Sequence, residues 1–174
     1  IYVVPKNTQG SWVALCIDPK GRLIAADQTG KLYRMTLPAT SSTEAAEPEP
    51  IGVDLAGAHG LLCAFDSLYV MVNERGTHGF YRVRDTNNDD KYDEVKLLRE
   101  IKGGGEHGMH SIIVTPDGKS LLVVCGNSTE LTKVDTSRLP LNWGEDNLAT
   151  WIPTGFMDDS LAPQGRIART DPNG

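Results

Sequence analysis

Three stretches of the chain share one pattern, and that internal repeat constrains the fold more than any other feature. Residues 12–35 read WVALCIDPKGRLIAADQTGKLYRM, residues 59–83 read HGLLCAFDSLYVMVNERGTHGFYRV, and residues 110–127 read HSIIVTPDGKSLLVVCGN. Each holds an apolar run, a turn built on an aspartate, and a second apolar run. The turn aspartates are Asp18, Asp66 and Asp117, spaced 48 and 51 residues apart. Two of the turns, Asp18-Pro19-Lys20-Gly21 and Pro116-Asp117-Gly118, have the residues a tight hairpin needs. Proline presets φ there and glycine admits positive φ.

The apolar runs are continuous rather than alternating, which fits strands buried on both faces of a sheet. A repeat of this length with several short strands is the signature of a β-propeller. The expectation is therefore an all-β chain: about three blades of a six-bladed ring, each a four-stranded antiparallel sheet. Residues 1–10 would be the edge strand of a preceding blade, with the strand at Ile1–Pro5. Residues 11–56 form blade one, with a third strand at Lys31–Thr36 and an edge strand at Ile51–Leu55. Residues 57–105 form blade two, whose outer strands are Gly79–Arg84 and Glu94–Ile101. Residues 106–174 form blade three, with a long insertion at 128–164, a third strand at Arg166–Arg169 and a closing turn at Asp171-Pro172-Asn173-Gly174. The fourth strand of blade three would lie past Gly174. An arc of this kind exposes two flanks, which the rest of a parent polypeptide or another copy would cover.

Composition excludes some functions. The chain of 174 residues carries a net charge of −6 and no lysine–arginine cluster, so nucleic acid is not an expected partner. The apolar runs are far shorter than a membrane span. Cys16, Cys63 and Cys125 each sit inside an apolar run without a CxxC spacing, which reads as buried free thiols. The chain starts at Ile1 rather than Met, as a processed or excised product would, so the lack of a visible signal peptide is uninformative.

Two motifs carry chemistry. Residues 85–94 read DTNNDDKYDE. Asp85, Asn87, Asp89 and Asp93 would supply oxygen side chains to a structural calcium ion, and Lys91 its carbonyl. The loop departs from the EF-hand pattern, with Asp90 at the glycine position and Lys96 at the final glutamate position. The alternative is a polar hairpin turn whose Asx side chains cap the backbone and bind nothing. Residues 103–111 read GGGEHGMHS. Glu106, His107 and His110 there, with His59 before the matching strand of blade two, would face one rim of the ring. A histidine in such a polar mouth can act as a general base near neutral pH. The alternative is that these glycines and histidines only shape turns between blades. His107 and His110 have no obvious third metal ligand. In the insertion, Trp143, Trp151, Phe156 and the pairs Glu145-Asp146 and Asp158-Asp159 would cover a ligand face or form a satellite core.

Longer stretches point to a family. QGSWVALCIDPKGRLIAADQTGKLYRM, GAHGLLCAFDSLYV, YRVRDTNNDDKYDEVKLL, GGGEHGMHSIIVTPDGKSLLVVCGN, NWGED and APQGRIARTDPNG resemble the PVC-type membrane-bound dehydrogenases. These are large secreted bacterial proteins with a propeller akin to soluble quinoprotein glucose dehydrogenase. The resemblance implies a secreted, periplasmic or cell-surface location, and in many members a c-type cytochrome domain further on. It implies that His107, nine residues before Pro116, is the catalytic base, and that Gly126-Asn127 follows the next strand as in the quinoprotein enzymes. Glu106, His110, His59 and Asn127 would then be ligand-binding. In those enzymes the base takes the alcohol proton while hydride passes to pyrroloquinoline quinone. The arginine and calcium ligands that hold the quinone are expected past Gly174, in a full-length parent acting on a sugar or alcohol. The other readings are a calcium-stabilised scaffold that holds a glycan or protein partner, and an assembly subunit.

Overall fold

A computed structural model describes residues 2–28, 30–42, 46–74, 76–130, 136 and 165–174. The chain is all-β, in three antiparallel sheets with almost no helix. The first sheet runs β1 (Trp12–Ile17), β2 (Leu23–Asp27), β3 (Leu32–Met35) and β4 (Glu49–Pro50). The second runs β5 (Ala58–Ala64), β6 (Ser67–Val72), β7 (Gly79–Arg84) and β8 (Glu94–Glu100). The third has three strands among the described residues, β9 (Met109–Val114), β10 (Leu121–Cys125) and β11 (Arg166–Thr170). Within each sheet, strands pair in chain order. Between sheets, β5 packs against both β1 and β9, so the first strands of the three sheets are neighbours.

The repeated aspartate turns close the first hairpin of each sheet, by two different means. Asp18 Oδ1 accepts the backbone N–H groups of Lys20 (2.9 Å) and Arg22 (2.8 Å). Asp117 Oδ1 accepts that of Lys119 at 3.1 Å. The second hairpin has only two loop residues between the paired Ala64 and Ser67. Phe65 and Asp66 both take positive φ there, 48° and 51°. That is the primed turn whose twist matches the flanking strands.

Two cores hold the sheets together, and β6 is the wall between them. All six of its residues are buried. Successive strand residues face opposite sides of a sheet. Leu68, Val70 and Val72 accordingly enter one core with Ile24, Ala26 and Leu32 of the first sheet. Tyr69 and Met71 enter the other with Met109, Ile112, Leu121 and Val123 of the third. The expected double-sided burial therefore holds at β6, though not at β8, the edge strand of the same sheet. It does not hold at β1, where Trp12, Ala14 and Cys16 are half-buried but Val13, Leu15 and Ile17 face outward.

Several expected elements differ, β3 and β8 by only one residue at an end. The edge strand of the first sheet is Glu49–Pro50, not Ile51–Leu55. Tyr33 and Arg34 pair with Pro50 and Glu49. Ile51, Val53 and Leu55 instead drop into the first core as irregular chain. Their burial outweighs strand pairing, and Gly52 turns the backbone at φ 71° between them. At the N-terminus, Tyr2–Pro5 has no strand pairing among the described residues, and Lys6–Gln9 is a helical turn, α1. The Pro5 carbonyl accepts the N–H groups of Thr8 and Gln9. Tyr2 stacks on Trp12 and Trp12 on Tyr33, at 5.4 and 5.9 Å between centroids. Finally, the third strand of the last sheet extends one residue past the expected Arg169. Among the described residues no helix is long and apolar enough to cross a membrane. The expected insertion lies outside the described residues from 131 to 164 apart from Thr136, together with its tryptophans, Phe156 and acidic pairs.

Candidate functional site

Local backbone packing builds the histidine region. Residues 105–107 form a single 3-10 turn that leads into β9. Asn73, buried at the end of β6, ties this turn down. Its Oδ1 accepts the Met109 N–H at 2.6 Å and its Nδ2 donates to the Gly105 carbonyl at 3.3 Å. Gly108 leaves the room, since a Cβ there would overlap Asn73 Oδ1. The His107 carbonyl accepts the Ser128 N–H at 2.9 Å and lies against Gly126, where a Cβ would collide with it. Asn127 follows at once, half-buried. The segment after β10 is thus laced to the His107 turn by backbone contacts.

The second histidine pair meets across two sheets. His59 on β5 and His110 on β9 have ring centroids 6.1 Å apart, tilted by 56°. Gly60 makes this approach feasible, since a Cβ there would overlap the His110 carbonyl. Burial, and then the charge of the neighbouring His110, lower the pKa of His59 below the ordinary 6.5. Both effects favour the neutral imidazole of His59. His107 is half-buried and Glu106 exposed on their turn. His78 stands apart, 3.7 Å from Glu100 at the far side of the second sheet.

The loop at residues 85–93 joins β7 to β8. The Asp89 N–H is shared by Asp85 Oδ1 (3.2 Å) and Asn87 Oδ1 (3.0 Å), so these two oxygens converge on one point. Asp85 Oδ2 accepts from Asp90 N at 2.8 Å, and Asp89 Oδ1 from Lys91 N at 3.0 Å. Asp93 turns the other way, accepting from Thr86 N (2.9 Å) and Thr86 Oγ1 (2.8 Å). Those bonds hold its carboxyl below the usual carboxylate range. Among the described residues no three His, Cys, Asp or Glu side chains gather as a metal-binding group. Asp85 and Asn87 thus meet at the Asp89 N–H, while Asp93 does not share that point.

Asp90, which replaces the EF-hand glycine, has the strongest contacts in the loop. Its backbone takes φ 71°, a conformation that non-glycine residues adopt only when something holds it. Arg22 of the first sheet supplies a bidentate grip, Nη1 to Oδ2 at 2.5 Å and Nη2 to Oδ1 at 2.7 Å. Lys20 Nζ adds a contact at 2.8 Å, and Arg34 Nη1 donates to the Asp90 carbonyl at 2.9 Å. Arg22 is itself aligned by Asp18 at 2.7 Å and Arg34 by Glu49 at 2.7 Å. These guanidinium and ammonium groups, Arg22 foremost, hold the Asp90 carboxyl far below its ordinary range. The network straps the second sheet to the first. Beside it opens a cleft of about 640 Å³ whose walls include Asp18, Cys63, Asp66, Arg84 and Tyr92.

Neither Asn73 nor Arg22 stands out in the sequence. Asn73 follows an apolar run as any strand-ending residue does. Arg22 follows the Gly21 of a turn, and its partner lies 68 residues away. The departure of Asp90 from the EF-hand pattern is the one visible sign of the strap. Compared with models of protein families and with curated proteins, the chain matches none of them.

Proposed function

We propose that the chain is a three-blade arc of a β-propeller from a secreted bacterial dehydrogenase-like protein, and that its histidine-bearing strand ends form part of a rim where a sugar or alcohol binds. The observation that carries this is the approach of His59 and His110, on neighbouring first strands, to 6.1 Å between rings. In a propeller the first strands surround the axis, and the loops at their ends ring the ligand face. The side-by-side packing of β1, β5 and β9 supports that placement. In the parent protein His107 would take the proton of a substrate hydroxyl, with Glu106, His110, His59 and Asn127 as hydrogen-bonding partners. Pyrroloquinoline quinone, if bound in the parent, would supply the hydride acceptor, and a cytochrome domain the onward electron carrier. The roles proposed for this chain's own residues are to bind the substrate and take its proton.

The test uses the full-length parent with quinone and calcium added, assayed by dye reduction with a panel of sugars and alcohols. His107→Ala is expected to lower kcat by about 10²–10⁴-fold, the usual worth of a positioned base. Activity that survives this change intact overturns the role of His107.

A second reading is a non-catalytic scaffold stabilised by calcium that holds a glycan or protein partner, and the meeting of Asp85 and Asn87 oxygens at the Asp89 N–H favours it. Asp85, Asn87 and Asp89 would bind the ion, with the Lys91 carbonyl, and Asp93 would have to turn from Thr86 to join them. Calorimetric titration with calcium tests this, and an absence of heat at millimolar calcium removes it. In either case the outward Val13, Leu15 and Ile17 on one flank, and Ile113 and Ile167 on the other, are where the rest of the parent or a second copy would pack.

A further inference from the structure

Cys16 and Cys63 stand at the same place in their sheets. Each is the penultimate residue of a first strand, β1 or β5, and they are 47 residues apart in the chain. Because β1 packs on β5, the two thiols meet across the boundary between the first two sheets. Their sulfurs are 3.7 Å apart, within thiol hydrogen-bond distance. A disulfide needs about 2.05 Å between sulfurs, so side-chain rotation and a small approach of the strands would join them. Cys63 also lines the cleft beside the Asp90 strap, which gives a small oxidant a path to it. Cys125 is buried in the other core, away from this pair.

We propose that Cys16 and Cys63 form a two-electron redox pair, oxidised by hydrogen peroxide to a disulfide that staples the first sheet to the second. Cys63 is the attacking sulfur. Hydrogen bonding with Cys16 first, and with Tyr92 to a lesser degree, lowers the Cys63 pKa against the opposing effect of burial, while the Cys16 thiol is pushed up. Cys63 Sγ attacks one peroxide oxygen and the O–O bond breaks. The departing hydroxide takes the thiol proton and leaves as water, and Cys63 becomes a sulfenic acid. Cys16 Sγ then attacks Cys63 Sγ. The S–O bond breaks, the S–S bond forms, and the hydroxyl leaves with the Cys16 proton as a second water. Two thiols and one peroxide thus become one disulfide and two waters.

The test starts from the fully reduced chain. On treatment with hydrogen peroxide, titratable thiols are expected to fall from three to one per chain, and dithiothreitol to restore all three. Non-reducing peptide mapping of the wild type should show a Cys16–Cys63 bond within one chain, with Cys125 still a thiol. In Cys16→Ser the reaction should stop at a Cys63 sulfenic acid that dimedone captures, and in Cys63→Ser the label should not appear on Cys16. Three persisting thiols, a bond that includes Cys125, a bond between chains, or dimedone on Cys16 would each overturn the proposal. The mapping needs no variant, so it decides even if a serine variant folds poorly.

Discussion

A few polar atoms decide the shape of the histidine region, and Asn73 is the most consequential. It accepts a backbone N–H of one segment and donates to a carbonyl of the turn before it. Removing it strands the Met109 N–H away from water, which costs about 1–3 kcal/mol for a buried donor. Asn73→Ala should lower the urea unfolding free energy by that amount, with the loss read from the denaturation midpoint. His59 makes a second test at this scale. Its folded pKa lies below 6.5 while the unfolded chain keeps about 6.5. Between those values the unfolded state binds the extra proton, so this residue lowers stability as the pH falls through 6.5 and has no effect well above it. Proton NMR titration should place the His59 midpoint below 6.5. His110→Asn should move it up without restoring it, because burial is the larger cause.

At the scale of elements, the paired runs were legible and the edges were not. Trp12–Ile17, Ser67–Val72 and Gly79–Arg84 follow from apolar content and turn residues, since each is fixed by local pattern. Ile51–Leu55 reads as a strand for the same reason, because IGVDL alternates. Its apolar side chains fill the gap between two sheets, and only the tertiary structure says that such a gap exists. The matching positions of His59 and His110 were legible because each begins a repeat segment. The Asp90–Arg22 contact was not, because nothing local ties residues so far apart. The turns carry a prediction of their own. Phe65 and Asp66 both hold a left-handed conformation that glycine adopts without penalty. Asp66→Gly should therefore stabilise the chain by up to about 1 kcal/mol, seen as a rise in Tm. Asp18→Gly should do the reverse, because that aspartate accepts two backbone N–H groups and aligns Arg22.

Across the whole molecule, the second sheet is the part on which the others depend. β6 contributes alternate side chains to both cores, and the loop after β7 reaches back to the first sheet. Asp90 makes that reach sensitive to acid. Its folded carboxyl is held below the unfolded value of 3.8, so its contribution is complete above that pH and fades as the pH falls toward the folded value. The side chain is 37% exposed, so solvent screens the pair. Asp90→Asn is expected to cost only about 1 kcal/mol at neutral pH. In the wild type the difference from Asp90→Asn should shrink below pH 4 and in molar salt, as thermal melts across pH and salt would show.

The third sheet is assembled on different terms from the other two. Cys125 of β10 pairs with Arg166 of β11, and residues 126–165 lie between them. In an unfolded chain, bringing together ends separated by roughly 40 residues costs about 3 kcal/mol of loop entropy, well above the cost of the short hairpins. The chain end nevertheless returns to the second sheet, where Tyr69 donates to the Pro172 carbonyl at 2.8 Å and Arg82 to Asn173 Oδ1 at 2.7 Å. Most of the pairing can therefore keep pace with synthesis, because the strands of the first two sheets zip as local meanders, but β10 must wait for β11. During that interval one edge of β10 carries unpaired amides, and that is when the chain is most open to pairing with a neighbour instead of with itself.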